Sequence, residues 1–316
     1  MPHLKTRATA RSNGRAHQGR AGARRLARII NVLCVAAVLA SCSTVRLGYE
    51  QLPTLAYWWL DRHLDFDSTQ SPQVREALAQ WQARHRQEEL PRLAALLEEA
   101  QTLAAGEITP EQACRFGEAV RARLRAAGAM AEAPAARIAL RLGPAQTEAL
   151  AERQARSNEE FHSDWLARSP AQQQARRYDE QRKRYEDFYG RLSEAQRSQL
   201  RAALARSRFD AALLDAERRR RQAELLALLR GWQAAPVSEA AARRALADYL
   251  DRLALPPPGP WREQQQALWN EGCADFAALH AGTSPEQRAR AVQRLQDYTR
   301  DVQALRAAPA VAADPG

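Results

Sequence analysis

Glycine, lysine and β-branched residues are scarce in this chain, and each shortage narrows what it can be. Fourteen glycines are spread over 316 residues, and none frames a nucleophile elbow, a phosphate-binding loop or a dinucleotide fingerprint. Val, Ile and Thr are thin, and no stretch alternates apolar with polar at period two, so no sheet is expected. A bilayer-spanning helix needs ~20 consecutive apolar residues, and the run Ile29–Ala40 is too short for one. Lysine occurs only at Lys5 and Lys183. The cations are otherwise arginine, which together with the alanine content reads as a GC-rich genome.

What is present at the N-terminus carries the most information. Residues 1–41 hold Lys5, Arg7, Arg11, Arg15, Arg20, Arg24, Arg25 and Arg28 and no acid. A short apolar segment follows, ending in Leu39-Ala40-Ser41-Cys42. A basic leader, a short hydrophobic region and small residues before a cysteine form the lipobox of a bacterial lipoprotein. Cleavage is then expected between Ser41 and Cys42, with acyl chains on Cys42; several chains together give durable membrane attachment. Removing the leader takes eight positive charges from the formal +10, leaving about +2 for residues 42–316. That near-balance removes the basic surface that non-specific nucleic-acid binding requires, so no nucleic-acid partner is expected.

Ala, Leu, Arg, Glu and Gln dominate what remains, all residues that lose little side-chain freedom in a helix. Helix starts recur at Ser71-Pro72-Gln73, Thr109-Pro110-Glu111-Gln112, Ser169-Pro170-Ala171-Gln172, Ser193-Glu194-Ala195-Gln196, Ser238-Glu239 and Ser284-Pro285-Glu286-Gln287. In each, a hydroxyl caps free N–H groups, and Pro suits the first turn. Gln at the third helical position completes a capping box. Gly143-Pro144-Ala145-Gln146 is a relaxed version. Val292, Leu295, Tyr298, Val302 and Leu305 trace one apolar stripe on the last helix.

The expected fold is all-α, a multi-helix antiparallel array with short Gly/Pro-marked turns. Helices are predicted over Leu52 to Asp65 and near 72–105, 110–128, 144–168, 171–190, 194–206, 210–231, 238–254, 261–281 and 285–307. Pro91 should kink or split the second. The domain plan is a signal peptide over 1–41, a linker over 42–51 and a helical domain over 52–307. Prolines at 256–260 mark a candidate subdivision, and 308–316 is a loose tail.

Four cysteines occur. With Cys34 discarded and Cys42 acylated, Cys114 and Cys273 remain as an even pair in an oxidising compartment. They can bridge the two ends of the domain or lie apart as buried thiols. Tyr57, Trp58 and Trp59 begin soon after the anchor. They are candidates for membrane or partner contact at headgroup level, although packing into the helical core is the expected outcome.

Chemistry-bearing patterns are incomplete. Asp61 and Asp65 form one i,i+4 pair and His63 and Asp67 another, but the two pairs sit on different helix faces. Glu159 and His162 form one Glu-x-x-His pair, where a di-iron bundle needs two. His85 and Glu88-Glu89 lack the second histidine of a zinc protease helix. Arg218–Arg221 could meet phosphate headgroups, but Glu217 and Glu224 flank it and favour a solvated face. No metal, cofactor or catalytic set is therefore expected.

Cys42–Tyr49 and Tyr57-Trp58-Trp59-Leu60-Asp61 resemble the start of an uncharacterised family of proteobacterial lipoproteins. Asn158-Glu159-Glu160-Phe161, Phe188–Leu192 and Gly272-Cys273-Ala274-Asp275-Phe276 extend the likeness along the chain. The resemblance implies an all-helical periplasmic lipoprotein with no assigned activity, and makes Cys114 and Cys273 part of the pattern. Ser43, rather than Asp, is similar to an outer-membrane sorting address. Leu192–Gln196 and Ile108–Gln112 also resemble helix starts of small periplasmic chaperones, a likeness that capping alone explains. The expected role is structural or protein-interacting in the envelope, anchored to the outer membrane through Cys42 and serving an envelope protein partner. Client binding as a chaperone is the alternative, and neither the partner nor the oligomeric state is legible.

Overall fold

The computed structural model describes residues 44–308; Ser41, Cys42, the rest of the leader and residues 309–316 lie outside the described residues. The helices are α1 (Thr44–Glu50), α2 (Leu52–Leu64), α3 (Gln70–Glu88), α4 (Leu90–Ala105), α5 (Pro110–Ala129), α6 (Glu132–Ala139) and α7 (Pro144–Phe161). A π turn, His162–Leu166, extends α7. Then come α8 (Pro170–Tyr189), α9 (Glu194–Arg206), α10 (Ala211–Ala234), α11 (Glu239–Ala254), α12 (Pro260–Ala281) and α13 (Pro285–Ala307). No strand forms among the described residues, and the fold is all-α with helices packed antiparallel.

The boundaries follow the capping chemistry. Thr109, Ser169, Ser193 and Ser284 hydroxyls accept from the N–H groups of Gln112, Gln172, Gln196 and Gln287. Each Gln Oε1 in turn accepts from the N–H of its cap residue. Glycine has no side chain, so the Gly143 box keeps only its return bond from Gly143 N–H to Gln146 Oε1, at 2.9 Å. Ser71 does not cap. Asp67 starts α3 instead, its Oδ1 accepting from the N–H groups of Thr69 and Gln70 at 2.8 Å each, while Ser71 Oγ accepts from Tyr57 O–H.

Three expectations are corrected and a fourth is refined. Residues read as a linker form α1, because Tyr49 packs inward: its ring faces His85 and its hydroxyl meets His85 Nδ1 at 3.0 Å. Gly231 does not end α10, which runs on to Ala234; one glycine costs a helix only about 1 kcal/mol. The region after Gly128 holds the short helix α6, with Pro134 placed in its first turn, where its missing N–H is harmless. The split expected at Pro91 falls at the buried Glu89, between α3 and α4.

Four capping glutamines do a second task. Gln146 Nε2 donates to Gln70 Oε1 at 2.8 Å, and Gln70 Nε2 returns a bond at 3.1 Å. Gln196 and Gln287 repeat the exchange at 2.8 and 3.2 Å. These two amide clasps each join a pair of helix starts, and one core hangs from each. Leu142 and Leu150, four residues either side of Gln146, share a core with Val74 and Leu78, four and eight after Gln70. Leu192 and Leu200 flank Gln196 in the same way, and share the other core with Ala291 and Leu295, four and eight after Gln287. The fold thus contains an internal repetition of clasp and core.

The last described helix closes on helices from the N-terminal part of the described residues. The last helix, α13, packs chiefly along α4 and also touches α1 and α8. Leu90, Ala94, Val302 and Leu305 form the buried contact. Arg86 clamps it by donating to the Leu305 carbonyl at 3.0 Å.

Candidate functional site

The feature that packing does not absorb lies on α1 and α2. The i→i−4 bonds from Gln51 N to Leu47 O (3.0 Å) and from Leu55 N to Gln51 O (2.9 Å) run through their junction. α1 and α2 thus form a rod of 21 residues interrupted by a turn at Gln51, whose φ of −84° and ψ of −1° stay in the α region and carry the helical phase from one helix into the other. On a wheel of 3.6 residues per turn, Leu47, Trp58, Gln51, Arg62, Leu55, Gly48 and Trp59 occupy one continuous arc of about 120°. All seven are exposed. Trp58 and Trp59 are 59% and 60% exposed, Leu47 57% and Leu55 50%. The opposite side carries Tyr49, Tyr57, Leu60 and Leu64, which pack inward.

The three aromatic candidates are thereby separated. Tyr57 is buried and can touch neither membrane nor partner: it stacks on Phe66, carries Arg75 over its ring at 3.6 Å and donates to Ser71. Trp58 and Trp59 reverse the core expectation. A helix one residue out of phase with its own aromatic cluster must send two of three consecutive rings outward. Leu47, Leu55 and Arg62 complete the arc and were not legible as site residues without knowing that α1 is helical. A wheel drawn continuously from 44 to 64 carries that signal.

Polar residues near the arc serve the turn. Asp61 Oδ1 accepts from Phe66 N–H at 3.0 Å. Asp65 adopts a left-handed conformation, φ 51°. Hydrogen bonds from Thr69 and the backbone hold the Asp67 carboxyl below its usual range. His63 Nδ1–H donates to the Trp59 carbonyl at 2.6 Å, its ring 4.3 Å from the indole. Among the described residues no three His, Cys, Asp or Glu side chains converge as a metal site would require.

Cys114 and Cys273 are brought together as a disulfide, Cα atoms 5.3 Å apart, joining α5 to α12. Next to it, Gly117 accommodates the Trp269 ring, and Arg121 stacks on that ring at 3.3 Å. His162 starts the π turn and gathers no second Glu-x-x-His pair.

Titratable groups buried elsewhere are consumed by helix contacts. His280 is fully buried; its Nε2 meets the Gly106 carbonyl at 2.8 Å and its Nδ1 the Tyr189 hydroxyl at 2.9 Å. A carbonyl only accepts, so Nε2 carries the proton and Nδ1 accepts from Tyr189. Burial lowers the His280 pKa and raises that of Tyr189. Glu89 joins Arg92 to Arg123. The arginine run is partly engaged in bracing α10 and partly solvated: Glu217 takes Arg220 and Arg221 at 2.7 Å, Glu224 takes Arg220 and Arg252, and Arg219 is exposed beside Asp215. Burial pushes the Glu217 carboxyl up, but the hydrogen bonds from Arg220 and Arg221 outweigh it and the pKa is lowered. Arg218 reaches back to Ser157 and lies over Phe161 on α7.

Two open clefts are lined by small residues and by charged side chains, Arg288 in one and Glu132, Glu239, Arg243 and Arg244 in the other. Arg288 donates to the Gly106 carbonyl at 3.1 Å in one, and Arg243 pairs with Glu132 at 3.6 Å in the other. No helix of the described residues is long and apolar enough to cross a membrane. A model of a family of unknown function, DUF6279, matches residues 62–254, more than half of the chain. No curated protein and no solved structure matches it. The chain belongs to the DUF6279 family.

Proposed function

For this member of a family of unknown function, we propose a lipid-anchored protein of the bacterial envelope. In this reading it is cleaved before Cys42, acylated there and held on the periplasmic face of the outer membrane. Its role is structural or protein-interacting, without catalysis. The observation that carries the reading is the lipobox Leu39-Ala40-Ser41-Cys42 with a helix beginning at Thr44, two residues beyond the acylated position. The Cys114–Cys273 bridge supports an oxidising compartment. The engagement of His280, Glu89 and Glu217 in bracing helices supports a scaffold, because those groups are spent on packing.

The test is metabolic labelling with an alkyne-bearing palmitate, comparing wild type with Cys42→Ala. Label on the wild-type band and none on the variant is expected. An unlabelled wild type, or a label that survives the substitution, overturns the reading.

A further inference from the structure

We propose that the outward arc of α1 and α2 lies in the headgroup layer of the bilayer, the rod parallel to the membrane plane, as a second attachment beside Cys42. This rests on the acylation reading for its geometry and carries it further. The acyl position fixes the depth. Cys42 precedes Thr44 by two residues, and two Cα–Cα steps reach at most ~7 Å. A diacylglyceryl group on Cys42 thus holds the first turn of α1 at headgroup level, and leaves no room for another protein domain between that turn and the lipid.

The chemistry of the arc suits that position. Leu47, Leu55, Trp58 and Trp59 supply apolar surface, and indole rings favour the boundary between hydrocarbon and water. Arg62 lies between Trp58 and Leu55, near the middle of the arc, and offers a guanidinium to phosphate. The arc contains no acid, and Glu50 sits outside its edge on the wheel. Across the rod, the apolar residues serve the core, with Tyr57, Leu60 and Leu64 packed against Phe66 and Val74. Both long sides of the rod carry large apolar side chains, but only one is covered by protein. An interfacial helix shows a wide apolar face with basic flanks, buried ~5–10 Å into the boundary; here the protein body replaces solvent on the far side.

The experiment has two arms, so that failure of acylation and failure of the arc are told apart. In the first, acylated protein is reconstituted into phosphatidylethanolamine–phosphatidylglycerol vesicles containing lipid brominated on the acyl chains. The chain has seven tryptophans; emission from Trp58 and Trp59 should be quenched, and Trp58→Phe with Trp59→Phe should remove that quenchable part. Equal quenching in both proteins, or none in either, overturns the proposal. In the second arm, the full mature chain carrying Cys42→Ala is floated with vesicles of the same lipids without bromine. Its partition should fall at least tenfold when Trp58 and Trp59 become Ser. Both side chains are exposed, so the fold is retained, and an unchanged melting curve verifies it. Equal partition of the two chains overturns the proposal whether or not Cys42 is acylated in cells. Dimerisation that depends on Trp58 and Trp59, without flotation, assigns the arc to a second copy and also overturns it.

Discussion

Breaking the Cys114–Cys273 bridge should destabilise the protein strongly and loosen one helix first. The bridge closes a loop of 159 residues. In the chain-entropy account, that removes about 17 cal/mol/K from the unfolded chain, or about 5 kcal/mol at 25 °C. For a chain of this size, 1 kcal/mol moves the melting temperature by ~2–4 °C, so Cys114→Ser with Cys273→Ser should lower it by about 10 °C or more. The local effect follows from α5, which has no fully buried residue. Its N-terminal half is held by the disulfide and by Gly117 and Arg121 against Trp269. The C-terminal half is pinned by Arg123 on Glu89 and by Trp81 Nε1–H donating to the Ala127 carbonyl at 2.9 Å. Hydrogen exchange should therefore accelerate over residues 110–121 before 122–129, in the variant and in reduced wild type alike. A melting temperature within ~3 °C of wild type, together with unchanged exchange in α5, would refute the reasoning.

His280→Phe should cost about 1–3 kcal/mol, because it strands the buried Tyr189 hydroxyl; chemical denaturation measures it. Burial holds the His280 pKa below its ordinary 6.5, so the unfolded chain protonates first as pH falls. The stability linked to this group is complete above about 6.5, declines as pH drops below that value and is lost once pH passes the folded-state pKa. His85 is depressed by burial as well, so melting temperature should fall from pH 7.5 to 5.5, less steeply in His280→Phe. Gly117→Ala would drive a methyl into the Trp269 ring; an overpacking cost of ~1–3 kcal/mol and a shifted indole emission are expected. Glu217→Gln should cost ~1–2 kcal/mol, below the fully buried case, because its arginine partners are partly solvated and Arg220 keeps Glu224. A thermal melt equal to wild type would remove Glu217 as the brace of α10.

Much of this architecture could be read from residues whose effect is local. Thr109, Ser169, Ser193 and Ser284 act within four residues of themselves, so their helices start where the sequence places them. The stripe on α13 is likewise local, and Leu295, Val302 and Leu305 are buried as expected. What escaped depends on distant partners. Nothing near Tyr49 says that His85 will receive it, so α1 looked like a linker. Gln70 looked like an ordinary polar residue before a Ser-Pro start, and its role needs Gln146, 76 positions away. The arc of Leu47, Leu55, Trp58, Trp59 and Arg62 was hidden for the same reason: phase on the rod is defined only once α1 carries it into α2. The pairing of Cys114 with Cys273 was left open, and the structure joins them across α5 and α12.

The closure of α13 on α4 sets an order of events for a chain that emerges N-terminus first. The contact surface of α4 exists about 200 residues before its cover is synthesised, and Leu90 and Ala94 stay wet until Val302 and Leu305 arrive. A premature stop within the last helix would leave more than a shortened protein. It would uncover the α4 face and release Arg86 from the Leu305 carbonyl. The gene is thus expected to tolerate almost no C-terminal truncation before residue 305. Nonsense alleles there should behave as nulls, their products removed by proteolysis, rather than as weakened forms.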